Sequence, residues 1–256
     1  SYCGVFGLKP GFGVISARGS VVVSRRLDHV GPIARSARDL ALLLEVLAGF
    51  DPHSAQSRLV APGDPRDAPL RIGVPAFDGI DVEPDVRGAF EAALHSLRAH
   101  GHTIVALPPS QVEPGKARRA GLLLCEAEML VEHRADWSTR RDLFSPTLAK
   151  LLTWAETKSA ADYAAADRLL DAAQVQMQEW LAACDLLAWP TTPQRAFAFG
   201  TPVPANQADL TCFANMAGMP ALSLPLPVPA GELPVGMQLI GRQGDDRWLV
   251  AMAGES

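Results

Sequence analysis

Apolar positions along this chain recur in two rhythms, and their order predicts strands and helices that alternate. Short extended runs open it at residues 5–6, 12–15 and 21–23, separated by glycines that suit turns. Gly31-Pro32 then breaks the pattern. From Ser36 the spacing predicts a helix, with Asp39 in its first turns and Leu40, Leu43, Leu44 and Leu47 on one face. Gly49 is its stop, with Asp51-Pro52 beyond. Residues 53–69 are polar and Pro-rich and read as a surface connection. Residues 70–74 read as a strand and residues 85–100 as a helix, with Val86, Phe90, Ala93, Leu94 and Leu97 at helical spacing. After Gly101, residues 103–107 return as a strand. Strand, helix and strand in that order form the βαβ unit of a parallel or mixed sheet.

From residue 117 to 180 the pattern is almost wholly helical, broken near Ser145-Pro146, and its Ala-rich run at 159–173 has high helix propensity. Residues 185–189 read as a buried strand, and the last third alternates Pro/Gly loops with apolar runs at 221–224 and 236–240. There is no internal repeat and no low-complexity tail. The expected fold is α/β: a mixed β-sheet core covered by helices on both faces. A chain of 256 residues suffices for one full core.

Composition narrows the function classes. An apolar share of 48% with 20% charged residues is that of an ordinary globular protein. The net charge of −5, with isolated basic pairs Arg25-Arg26, Arg118-Arg119 and Arg140-Arg141, argues against a nucleic-acid surface. Cys3, Cys125, Cys184 and Cys212 lie far apart with no CxxC pair, which suits free thiols in a reducing, cytoplasmic setting. The most apolar helical segment, residues 40–50, is interrupted by Glu45 and Gly49, so no membrane span is expected. The sequence does not begin with Met, and the lack of a signal peptide therefore carries no information.

Local motifs give little chemistry by themselves. GVFGLKPGFG lacks the strand–GxGxxG–helix setting of a phosphate loop and reads as tight turns between packed extended segments. His95, His100 and His102 cluster at a helix end without metal-ligand spacing, and there is no HExxH. No GxSxG elbow and no S-x-x-K are present. Of the lysines, Lys9 precedes a proline, and Lys116, Lys150 and Lys158 sit in polar helical segments that suit solvated faces. Ser20, Asp28 and His29 supply the residue types of a triad without a distinguishing pattern. Ser1 has the form of an N-terminal nucleophile, whose free amine would serve as its base.

Five longer runs, in order, say more. They are SYCGVFGLKPGFG at 1–13, LDHVGPIARSARDLALLLEVLAGFDP at 27–52, DLLAWPTTP at 185–193, TCFANMAGMPALSLPLP at 211–227 and LPVGMQLIGRQGDD at 233–246. Together they resemble the amidase signature family, over essentially the whole chain, with Arg35 and Asp39 at that family's charged positions.

The resemblance implies a mixed sheet between helices and hydrolysis of a carbon–nitrogen amide bond to carboxylate and ammonia or amine. A Ser-cisSer-Lys triad does the chemistry: a desolvated neutral Lys acts as base through a bridging Ser, and oriented backbone N–H groups hold the oxyanion. It also implies that residues 1–256 are a single amidase-type domain with its N-terminal part missing. The triad is expected upstream of Ser1, so no catalytic residue lies in this chain, and Lys9 belongs to the family's GLKP run instead. By the same analogy Thr191, Thr192, Phe213, Asn215 and Met219 are the candidate substrate-binding residues. No cofactor and no metal is implied. The expected partners are a small amide substrate and either a second copy or the missing N-terminal segment. The alternatives are a truncated amidase-like protein, a non-catalytic subunit or a glutaminase-type subunit of a tRNA amidotransferase.

Overall fold

The computed structural model of the chain describes residues 1–67 and 69–254. Strands β1 (Phe6–Lys9), β2 (Ile33–Ala34), β3 (Arg71–Pro75), β4 (Thr103–Leu107), β5 (Leu186–Pro190), β6 (Ala221–Leu226) and β7 (Val235–Ile240) form one sheet. Its order is β2-β1-β6-β7-β5-β3-β4. β3 is parallel to β4 and β5, whereas β5–β7, β7–β6, β6–β1 and β1–β2 are antiparallel. The sheet is therefore mixed, with helices α1 (Ala37–Leu47), α2 (Pro84–Ala99), α3 (Pro114–Glu132), α4 (Arg134–Thr139), α5 (Pro146–Ala155), α6 (Ala160–Ala182), α7 (Cys212–Met216) and α8 (Asp246–Gly254) around it.

Local chemistry sets the helix ends. Ser36 Oγ accepts the Asp39 N–H at 3.1 Å and starts α1. Pro84, Pro114 and Pro146 occupy first-turn positions, where a missing N–H costs nothing. Ser159 and Asp162 close a reciprocal capping box at the head of α6. Past the end of α2, Gly101 takes φ +91°, a left-handed conformation that a residue with a Cβ resists.

Neighbouring residues of a strand point to opposite faces, and the register assigns them. Gly7, Ser223, Gln238 and Trp189 lie side by side in one cross-strand row. That face meets α7: Gln238 Nε2 donates to the Leu210 carbonyl at 2.9 Å, and the rings of Trp189 and Phe213 lie 5.8 Å apart. The adjoining row is Leu8, Leu222, Leu239 and Ala188. It belongs to the opposite face, where α1 packs on β1 and α8 on β6. Both rows are continuous with the buried core.

Several local expectations change. In α1 the buried stripe is Ala37, Leu40 and Leu44, while Leu43 and Leu47 are 39% and 43% exposed. A helix packed on one side buries only a narrow arc. Residues 21–23 form no strand, and Val21 is 77% exposed. Residues 12–15 turn rather than extend, and only Ile15 makes a bridge, to Ala48. The helical block after residue 114 is broken at more places than Ser145-Pro146, giving α3 to α6 and a short 3-10 turn at Arg141–Leu143.

Candidate active site at one end of the central strands

The strand directions bring the end of β5, the start of β7, the end of β6 and the start of β1 to the same edge of the sheet. Thr191 follows β5 directly; its N–H donates to the Gly236 carbonyl at 2.7 Å, and its hydroxyl lies 2.8 Å from that of Ser223. The Thr192 hydroxyl donates to the Gln194 carbonyl at 2.8 Å and lies 3.0 Å from the Ser1 hydroxyl. Since a hydroxyl carries one proton, Ser1 donates to Thr192 in that pair. Gln194 Nε2 in turn donates to the Tyr2 hydroxyl at 2.7 Å. Gln194 is buried and its Oε1 has no partner among the described residues. Such an orphan costs about 1–3 kcal/mol unless a donor reaches it. Tyr2 meets Phe197 edge to face at 5.9 Å. Burial pushes the Tyr2 phenol up, with the hydrogen bond donated by Gln194 opposing, so it stays neutral.

The other candidates run away from this edge along α7. Phe213 is fully buried between Trp180 and Trp189, at 6.2 and 5.8 Å. Asn215 Nδ2 donates to the Leu27 carbonyl at 3.0 Å and pins the turn that precedes β2. Met219 lies at the opposite end of the strands, where its carbonyl accepts from Lys9 Nζ at 2.6 Å. The structure thus brings Thr191 and Thr192 together and separates them from Phe213, Asn215 and Met219. Sequence reading missed Tyr2, Gln194, Ser223 and Gly236. The signal was proximity to the WPTTP and LPVG runs, which carries no side-chain direction.

That opposite end holds the shifted ionisable groups. Lys9 donates to the Met219 carbonyl and, at 3.0 Å, to that of Pro10. Burial pushes it down to about 7, with Asp246 pulling the other way. His29 falls to about 4, chiefly through burial and then through the Lys9 charge, against its hydrogen bond to the Leu27 carbonyl. The Ser20–Asp28–His29 trio is not assembled. Ser20 donates to the Ala17 carbonyl, Asp28 accepts the N–H groups of Val23 and Ser24, and His29 Nδ1 faces the Leu27 carbonyl. Nor does the Gly-rich opening cradle an anion, since the Gly11 N–H is held by Asp246 at 2.7 Å.

The family model named Amidase matches residues 1–250. This chain belongs to the amidase family. It is 34% identical to a subunit of the glutamyl-tRNA(Gln) amidotransferase of Picosynechococcus, over 94% of this chain and 57% of that protein. A solved amidase structure superposes with a TM-score of 0.83 at 28% identity, covering 99% of this chain and 58% of the other. The corresponding glutamyl-tRNA(Gln) amidotransferase polypeptide of Thermotoga maritima, also solved, gives 0.78 at 28% identity, with 98% and 57% covered. The chain thus spans somewhat under 60% of the length of these relatives. The mixed sheet between helices expected of the amidase family holds for this chain.

Proposed function

We propose that this chain forms the substrate side of an amide hydrolase that splits the carbon–nitrogen bond of a linear amide into carboxylate and ammonia or amine. The Ser-cisSer-Lys triad stands upstream of Ser1 in this reading, and the reaction needs no cofactor. The observation that carries it is the position of Ser1 and Tyr2. The run that follows the nucleophile segment in the family is tied to Thr192 and Gln194 at the end of β5. A polypeptide leading into Ser1 starts beside these hydroxyl and amide groups. In this reading Thr191 and Thr192 line the acyl pocket, while Phe213, Asn215 and Met219 shape it through the placement of α7. The four unpaired thiols support a reducing, cytoplasmic setting, and no described helix is long and apolar enough to cross a membrane.

Release of ammonia from simple amides tests the proposal. The 256-residue chain alone is expected to show none. The same chain extended upstream to its relatives' length turns over, and loses activity when the upstream Lys or either Ser is replaced. Turnover by the 256-residue chain with no other polypeptide present would refute this division of labour, as would an upstream sequence without a Lys and paired serines.

A second reading, in which the chain works in association, is favoured by the outer face of α1. Leu42, Val46 and the nearby Phe50 are 59%, 82% and 57% exposed, an apolar surface suited to a protein partner. A second copy or a chain bearing the triad fits that face. A monodisperse monomer in light scattering counts against it.

A further inference from the structure

Residues 1–4 are gripped from two sides. On one side stand the residues after β5: Thr192 beside the Ser1 hydroxyl at 3.0 Å, and Gln194 on the Tyr2 hydroxyl at 2.7 Å. On the other side the chain lies against the start of β7. A Cβ added to Gly236 would come within 3.0 Å of Ser1 Cα and 3.0 Å of Thr191 Oγ1. At Gly4, where φ is +62°, an added Cβ would stand 3.2 Å from the Pro234 ring. Ser1 therefore rests close on bare backbone at Gly236, where a Cβ would force Ser1 or Thr191 to give way by a few tenths of an ångström.

We propose that Tyr2, Gln194 and Gly236 are positioning residues of the amide hydrolase, a clamp that sets where the polypeptide entering Ser1 presents its reacting groups. This rests on the reading that the nucleophile lies in that upstream segment. None of the three touches substrate; they act through the backbone of residues 1–4. The buried, unpartnered Oε1 of Gln194 is the clamp's open contact, and it accepts an N–H of the entering polypeptide. The chemistry of the clamp is neutral throughout, so it fixes position without altering the charge around the nucleophile. Displacing a reacting group by about 1 Å slows a reaction on the order of 10²-fold while leaving ground-state binding largely intact. The expected signature is therefore in kcat, not KM.

The experiment uses the upstream-extended protein with a simple aliphatic amide, measuring kcat, KM and thermal unfolding of each variant. Tyr2→Phe and Gln194→Leu each lower kcat about tenfold or more, with KM within about twofold and the folded state intact at assay temperature. The double variant falls no further than the worse single one, because both cut the same tie. Gln194→Glu restores most of the rate, since a carboxylate accepts from the Tyr2 hydroxyl at the same place. Gly236→Ala lowers kcat from the opposite side. Should that variant not fold, Tyr2→Phe, which removes a single oxygen, decides. An active wild type whose Tyr2→Phe and Gln194→Leu variants keep its kcat, or lose rate through KM alone, overturns the clamp and leaves the hydrolase reading standing. A wild type with no turnover on any amide refutes the hydrolase reading and takes the clamp with it.

Discussion

Two ends of the same strands carry two polar clusters built from different materials. Where β5 ends and β1 begins, Ser1, Tyr2, Thr191, Thr192, Gln194 and Ser223 are all neutral and joined by short hydrogen bonds. Where β1 ends and β6 begins, half-buried Lys9 and His29 and buried Asp246 are ionisable and shifted from their ordinary values. Strongly shifted groups often mark a reaction centre, and a lysine brought to about 7 has the right basicity for a hydrolase. Geometry argues otherwise. Both hydrogen bonds of the Lys9 ammonium go to backbone carbonyls, and among the described residues no hydroxyl lies within hydrogen-bond reach of it. Lys9 ties the end of β1 to the corner between α7 and β6. Burial alone shifts such a group, so a displaced pKa here reports architecture.

The comparison breaks most readily at the residue between the two ends. Phe213→Ala empties a fully buried site against Trp180 and Trp189 and should cost about 3–5 kcal/mol in urea unfolding. A loss below about 1 kcal/mol would move the ring from the core to a substrate pocket.

The next effect tests the charged end through pH. Folded Lys9 titrates near 7 against an ordinary 10.5, so above pH 7 the unfolded chain binds more protons than the folded one. Stability from this group therefore rises with pH, by at most about 1.4 kcal/mol per unit, most cleanly between pH 7 and about 8.5 before thiols ionise. Lys9→Met should flatten that rise in a series of urea titrations; an unchanged slope would mean that Lys9 is solvated. Glu126 supplies the opposite sign. Burial lifts its carboxyl from 4.5 to about 7, so its contribution is present below pH 4.5 and lost as pH rises through 7. Glu126→Gln should leave stability at pH 4 unchanged and raise it at pH 8 by about 1 kcal/mol.

These groups also show what a sequence can and cannot carry. The βαβ unit was legible because α2 keeps Val86, Phe90 and Leu94 on one buried stripe between two short apolar strands that pair in parallel. The family was legible because five runs kept their order. The central sheet was not, because β6 and β7 come between β1 and β5 through long-range pairing that no local period encodes. The same crossing divided the candidate residues. Thr191 and Met219 belong to neighbouring runs, yet antiparallel pairing sends them to opposite ends of the strands. Lys9 read as an ordinary GLKP lysine because its surroundings depend on Asp246 and Met219, each more than 200 positions away.

The smallest effect separates two adjacent threonines. Thr191→Val keeps the shape of the side chain and removes the bond to Ser223, which should cost about 1 kcal/mol. Thr192→Val removes a bond of the same kind to Ser1, together with the tie to the Gln194 carbonyl, at a similar cost in stability. Stability alone cannot tell them apart, but turnover can. Thr191 is buried against β6 and joins strand to strand, whereas Thr192 joins the strand end to the residues leading into β1. In the upstream-extended protein, Thr192→Val should therefore lower kcat severalfold, whereas Thr191→Val, at the acyl pocket but outside the tie to Ser1, should leave kcat within about twofold of wild type and show its effect in KM. Equal losses in both would show that the neutral end is a single cooperative network rather than a strand tie with a separate clamp beside it.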